Sequence, residues 1–398
     1  LLLASGVSWV IWNWDTFPPL ARIAFLGSFT ALFYGLGWFV RTRLKLEGSG
    51  IALSAVGSLL IPLDFYAFYI SGGFPAGSWP LVWLLTSLVC LGAYLLTAVW
   101  LQATFFGYLV ALAGLSLVSA GLNWWGVPAV WQQTAVILVA FSLAVLNEGL
   151  RLRPSRLRFL AIPFGQMALL LTAPTLILGL VWGLWAGGPS LAYYAALAAS
   201  WWGGGLTLLI MTRRYRLQTM VWATALTFPV AIWMAQRVLF VIWPVDVAWY
   251  ALGWLLLAPF YFATAVLLQS AAATDELAVM ARKTAVSVGV LLVMVAALWS
   301  LQDGKAATAV HLLLAFGAAA AAWFSRRARL WWAMSLFLTI AAGAWQASRG
   351  ASPEELALPG ALLAVLHILA ALLLRPRLGR RPNAFLTPLF GGALALAV

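Results

Sequence analysis

The chain has 398 residues, of which 64% are apolar and only 8% charged, and its mean hydropathy is +0.99. A soluble fold is nearer ~45–50% apolar, so composition excludes a globule solvated by water and requires lipid around much of the surface. The net charge of +13 is carried in short clusters between apolar stretches, which excludes a nucleic-acid partner and points to helix ends at anionic headgroups.

A spanning helix needs ~20 mostly apolar residues to cross ~30 Å of hydrocarbon. Taken in chain order, the sequence predicts a partial helix at 1–12, then spans at 19–40, 50–70, 80–100, 104–122, 129–149, 159–185 and 190–211. Further spans follow at 218–242, 247–270, 284–301, 306–324, 330–347 and 356–374, with a partial helix at 384–398. The expected fold is an all-α, polytopic transmembrane bundle of thirteen complete spans with a partial span at each end. It forms one multi-span domain over 1–398, with no soluble domain, cut from a longer protein. A membrane β-barrel would alternate polar and apolar residues, and stretches such as "LVWLLTSLVCLGAYLLTAVW" do not. The 24 tryptophans suit interfacial anchoring.

The cations test this segmentation. They cluster at Arg41/Arg43/Lys45, Arg151/Arg153/Arg156/Arg158, Arg213/Arg214/Arg216, Arg282/Lys283, Arg326/Arg327/Arg329 and Arg375/Arg377/Arg380/Arg381. Counting the first partial helix, every cluster follows an even-numbered helix, so all lie on one side, leaving Arg22, Arg237, Lys305 and Arg349 elsewhere. Cations resist translocation, which makes the basic side cytoplasmic. The turn "LQAT" at 101–104 belongs to the same side yet carries no charge; the parity of its neighbours requires three spans between 71 and 150. The string Arg-x-Arg-Leu recurs at 41–44, 214–217, 327–330 and 375–378. Either a duplicated hairpin or the plain need for cations before a Leu-rich helix explains it.

Few residues are out of place in lipid. Asp64, in "LLIPLDFYAFY", costs on the order of 3 kcal/mol on insertion scales unless it faces protein or water. Pro62 just before it removes a helix donor. Arg237 lies well inside a span and is a possible partner for Asp64, or a snorkelling cation. His367 and His311 lack a carboxylate at ligand spacing and are expected to bond between helices. Asp64, Arg237 and His367 are therefore the candidate intramembrane polar site. Gly179, Gly183 and Gly187 form GxxxGxxxG, a face that lets another helix approach closely. "WWGGG" at 201–205 is expected to notch its helix, and "TDELAVMARK" at 274–283 to be a polar turn or a short surface helix. Glu148 is expected to pair with an arginine of the second cluster, and Cys90, the single cysteine, to pack inertly.

HExxH, GxSxG, Walker-type and CxxC motifs do not occur. No catalysis, cofactor or metal is expected; the expected partners are membrane lipids, with anionic headgroups at the cytoplasmic face. The stretch 14–69, with Leu60, Ile61, Pro62, Leu63, Asp64, Phe65 and Tyr66 at its end, resembles a group of bacterial polytopic membrane proteins. That resemblance implies a bacterial inner-membrane location and says nothing about activity or mechanism. Two functions remain open: a transporter- or flippase-like protein moving a small or lipidic solute, and a non-catalytic membrane scaffold. A membrane-embedded enzyme has the least support.

Overall fold

The computed structural model describes residues 16–75, 77–152, 157–185, 190–271, 275–325 and 329–350, together with 364, 365 and 368. Among them the chain forms twelve α-helices and no strand. These are α1 (Pro19–Thr42), α2 (Glu47–Ile70), α3 (Trp79–Leu101), α4 (Thr104–Trp124), α5 (Gln132–Leu152), α6 (Ala161–Trp185), α7 (Leu191–Tyr215), α8 (Gln218–Ile242), α9 (Tyr250–Ala271), α10 (Glu276–Ser300), α11 (Gly304–Ser325) and α12 (Arg329–Ala347). Ten helices are long and apolar enough to cross a membrane. This is the build of a multi-pass membrane protein, since helices satisfy their own backbone groups in lipid.

The first twelve expected spans each correspond to one helix, and 71–150 holds three of them, α3 to α5. Of the thirteenth span, 356–374, only residues 364, 365 and 368 are described, and both partial helices lie outside the described residues, so twelve helices are observed among the described residues and not thirteen. One boundary is corrected. Residues 276–283 are neither a turn nor a separate surface helix but the first turns of α10. Asp275 caps them, its Oδ1 accepting from Leu277 N at 3.0 Å, and Glu276 complements the N-terminal dipole.

The helices gather into two compact units that divide between Met220 and Val221. In the first, α1 packs on α2, α3 on α4, and α5 on α6 and α7; in the second, α9 packs on α10 and α11 on α12. The core of the first unit interleaves large side chains, such as Phe106, Phe164 and Met211, with alanines including Ala98, Ala144 and Ala168. The alanines let helices approach closely, which matters because lipid gives helices no hydrophobic drive to associate and leaves close packing to hold them. Other large apolar side chains are turned outward, Leu96, Trp100, Leu170 and Leu178 among them.

Three turns share a device. Lys45, Gln102 and Arg216 adopt left-handed backbone, with φ of 55°, 48° and 52°. They close the turns after α1, α3 and α7. The uncharged 101–104 turn is thus a two-residue connection between Leu101 and Thr104. Most L-residues avoid this conformation by about 1–2 kcal/mol.

Candidate functional site: a polar seam between α1, α2 and α3

Helix α2 presents Gly50, Ser54, Gly57 and Ser58 on one buried face, a spacing of one and two turns that makes a groove for α1. A Cβ at Gly37 would meet the Gly50 carbonyl and the Ser54 amide, both at 2.9 Å. One at Gly50 would meet Arg41 Cβ at 2.7 Å and the Gly37 carbonyl at 2.8 Å, and one at Gly57 the Tyr34 ring at 2.9 Å. The contacts pair rising numbers on α1 with falling numbers on α2, so the helices run antiparallel in nearly touching backbones.

Polar side chains line the same seam. Thr30 Oγ1 donates to Asp64 Oδ2 at 2.7 Å. Tyr34 Oη lies 2.5 Å from Ser58 Oγ and 3.4 Å from Thr97 Oγ1, which brings α3 into the network. Ser58 Oγ in turn donates to the Ser54 carbonyl at 2.9 Å.

Pro62 decides how α3 joins. A proline has no N–H, so the carbonyl four residues earlier, that of Ser58, loses its helical partner. Tyr94 of α3 fills the place: its hydroxyl donates to Ser58 O at 2.9 Å, and the residue itself is 5% exposed. The helix continues to Ile70 with proline inside it. Two residues on, Asp64 is half-buried. Its Oδ2 is held by Thr30, while its Oδ1 is buried with no hydrogen-bond partner among the described residues.

Beside this network, a groove of about 420 Å³ opens between α1 and α3, lined by Tyr34, Trp38, Ser54, Leu96, Thr97 and Trp100 among others. Tyr34 and Thr97 belong to both features.

The other expected residues fall elsewhere. Arg237, on α8 of the second unit, lies half-buried between two rings, its guanidinium carbon 5.8 Å from the Trp233 ring and 5.6 Å from the Tyr250 ring. The carboxylate partner expected for it, Asp64, belongs to the first unit and is bonded to Thr30. His367 lies outside the described residues. His311 is 2% exposed; its Nδ1–H donates to Ala307 O at 2.9 Å, a bond inside its own helix rather than between helices. Gly179 abuts α5, where an added Cβ would meet Gln133 Oε1 at 2.6 Å, and its carbonyl accepts from Tyr193 Oη of α7 at 3.2 Å. Gly183 is helical within α6, and Gly187 lies outside the described residues. The glycines of "WWGGG" leave α7 unbroken; Gly203 and Gly204 admit Ile137 of α5 and Leu176 of α6.

Of the basic anchors, Arg41 closes α1 and Arg43 is its C-cap residue; Arg151 closes α5, and Arg213 and Arg214 close α7. There they complement the negative ends of the helix dipoles. Arg151 also pairs with Glu148 at 3.9 Å. Arg153, Arg326, Arg327, Arg375 and Arg377 lie outside the described residues. Among the described residues no group of three or more His, Cys, Asp and Glu could hold a metal ion.

Sequence reasoning singled out Asp64 and Pro62 but missed Tyr34, Ser54, Ser58, Tyr94 and Thr97. The one available signal was the Gly50–Ser54–Gly57–Ser58 spacing on α2. No protein-family model matches the chain, and no curated protein or solved structure is significantly similar to it.

Proposed function

We propose that this chain is a transporter- or flippase-like protein that moves a small or lipidic solute across the cytoplasmic membrane of a bacterium, with Asp64 as the group that takes up a proton or cation. In this reading it makes and breaks no covalent bond. The observation that supports it is the asymmetry of the carboxylate: Oδ2 is fixed by Thr30 while Oδ1 is buried with no hydrogen-bond partner. A charge in hydrocarbon is costly, so such a group changes occupancy readily when a proton or cation arrives. Pro62 and the Tyr94 bond to Ser58 O give α2 a side chain in place of a ladder bond, a site of bending.

The test is Asp64→Asn in proteoliposomes, which preserves shape and the Thr30 contact. Gradient-driven solute uptake or lipid flipping is expected to vanish while expression and folding stay unchanged. Transport equal to that of the parent chain would remove Asp64 from the mechanism.

The scaffold reading has its own support. Side-chain bonds such as Trp83 Nε1 to Ser116 Oγ at 2.9 Å and Thr134 Oγ1 to Ala196 O at 3.0 Å tie helix to helix, as glue rather than as a solute path. It predicts that Asp64→Asn leaves every flux assay silent in parent and variant alike. For orientation, the basic turns face the cytosol in this proposal. A cysteine placed at Arg216, with Cys90 buried, is then expected to resist an impermeant thiol reagent added from outside the cell.

A further inference from the structure

We propose that the groove between α1 and α3 holds one acyl chain of an anionic phospholipid whose phosphate sits on the Arg41–Lys45 turn. This does not depend on the role given to Asp64.

The groove has the form of a lipid site. Its volume of about 420 Å³ falls in the range of about 300–1,000 Å³ typical of small-molecule sites. Its wall is almost wholly apolar, with the Tyr34, Ser54 and Thr97 side chains as the polar exceptions. The rim is apolar as well: Leu96 is 72% and Trp100 77% exposed. Trp38 on α1 and Trp100 on α3 stand at the ends of their helices, so the groove runs out at the turns after those helices. Indole rings at that depth are placed for the headgroup boundary.

Charge supplies the identity of the occupant. Trp38 lies one helical turn before Arg41, on the stripe that begins at Tyr34. Arg41 Nη1 is buried and has no hydrogen-bond partner among the described residues. A buried guanidinium N–H without an acceptor is costly, and a phosphate oxygen is the acceptor whose geometry fits it. Arg43 and Lys45 follow within the turn and are exposed. Glu47, which opens α2, is the one acid near them; it is exposed and forms no ion pair with them among the described residues. The turn therefore stays cationic beside an apolar groove, and a molecule with a phosphate at one end and a hydrocarbon chain at the other satisfies both.

The test uses the full chain, equilibrated in vesicles of phosphatidylcholine with or without phosphatidylglycerol, extracted in mild detergent and weighed by native mass spectrometry. One phosphatidylglycerol is expected to stay bound per chain where phosphatidylcholine does not. Arg41→Gln is expected to lower its occupancy about fivefold, the effect of losing one interfacial cation, and Arg41→Lys to recover part of it. Leu96→Trp, at a lipid-facing position where folding tolerates bulk, is expected to fill the groove and displace the lipid with all cations intact. Retention unaltered by both Arg41→Gln and Leu96→Trp, equal retention of phosphatidylcholine, or release by inorganic phosphate alone would each overturn the proposal.

Discussion

The two units solve the same backbone problem and then diverge. In the first, Pro62 inside α2 frees the Ser58 carbonyl, and Tyr94 of the next helix bonds it. In the second, Pro229 inside α8 frees the Ala225 carbonyl, and Tyr261 of α9 bonds it. The tyrosine follows the carbonyl by 36 residues in both cases, and both proline helices follow a copy of Arg-x-Arg-Leu, at 41–44 and at 214–217. Two residues beyond the proline, however, the first unit places Asp64 and the second Ala231, which is fully buried at 0% exposure. The Pro–Tyr latch therefore holds without an acid. It is a structural device, and Asp64 is an addition that packing did not demand.

The surroundings of the latch differ as well. The first is bounded by the glycine-tight polar seam of α1 and α2. The second has aromatic surroundings at the far end of α8, where Gln236 Nε2 donates to Tyr250 O at 3.2 Å and the Phe240 and Tyr250 rings stand 4.5 Å apart. Farther along, an apolar cavity of about 690 Å³ lies between α9, α10, α11 and α12, lined by residues such as Leu255, Phe262, Val293 and Phe337.

The sharpest way to break the comparison is to give the second unit an acid. Ala231→Asp is expected to destabilise the protein by about 3 kcal/mol or more, because it puts a carboxylate at a position with 0% exposure; denaturant titration in detergent reads this out. A tolerated aspartate would mean that both units accept the charge and that Asp64 is unremarkable. Nearly as large, Gly50→Val is expected to cost about 3 kcal/mol, since its Cβ has backbone at 2.8 Å. Gly35→Ala, where nothing lies within 4 Å, is expected to leave the same titration unmoved.

The latch itself is next. Tyr94→Phe and Tyr261→Phe are each expected to cost about 1–3 kcal/mol by leaving a carbonyl without a donor. In the Pro62→Ala and Pro229→Ala backgrounds, where the helix N–H returns, the same substitutions are expected to cost less than half as much. A double-mutant cycle measures the coupling, and zero coupling in either unit would end the parallel. Smallest is Arg237→Gln, which removes a cation from the Trp233 and Tyr250 rings at an expected loss of about 0.5–1 kcal/mol, visible as a slight shift in thermal midpoint.

Much of the fold was legible in the sequence because lipid imposes a simple rule. About 20 apolar residues must be helical, and turns must be polar or glycine-rich, so the twelve helices fall where hydropathy puts them. The beginning of α10 was misread because its polar first turns look like a loop until Asp275 is recognised as a cap. The site was legible only as isolated oddities, Asp64 beside Pro62. Spacing alone does not pair Asp64 with Arg237, since two charges in a chain of helices carry no information about which faces meet. Gly179 drew notice for its regular repeat, while the glycines of the α1–α2 seam, spread over two helices, formed no motif in one dimension.

By itself, then, the sequence determined a membrane-compatible bundle, its helix boundaries to within a few residues, and the clustering of cations at alternate turns, because these depend on local hydropathy and charge. Only the tertiary structure decided that Tyr94 completes the helix that Pro62 interrupts, that Thr30 holds one oxygen of Asp64, and that α1 and α3 leave a groove ending near Arg41. Each of these joins residues far apart in the chain across helix faces, and the rotation of a helix about its axis is fixed by packing against its neighbours rather than by the order of its residues.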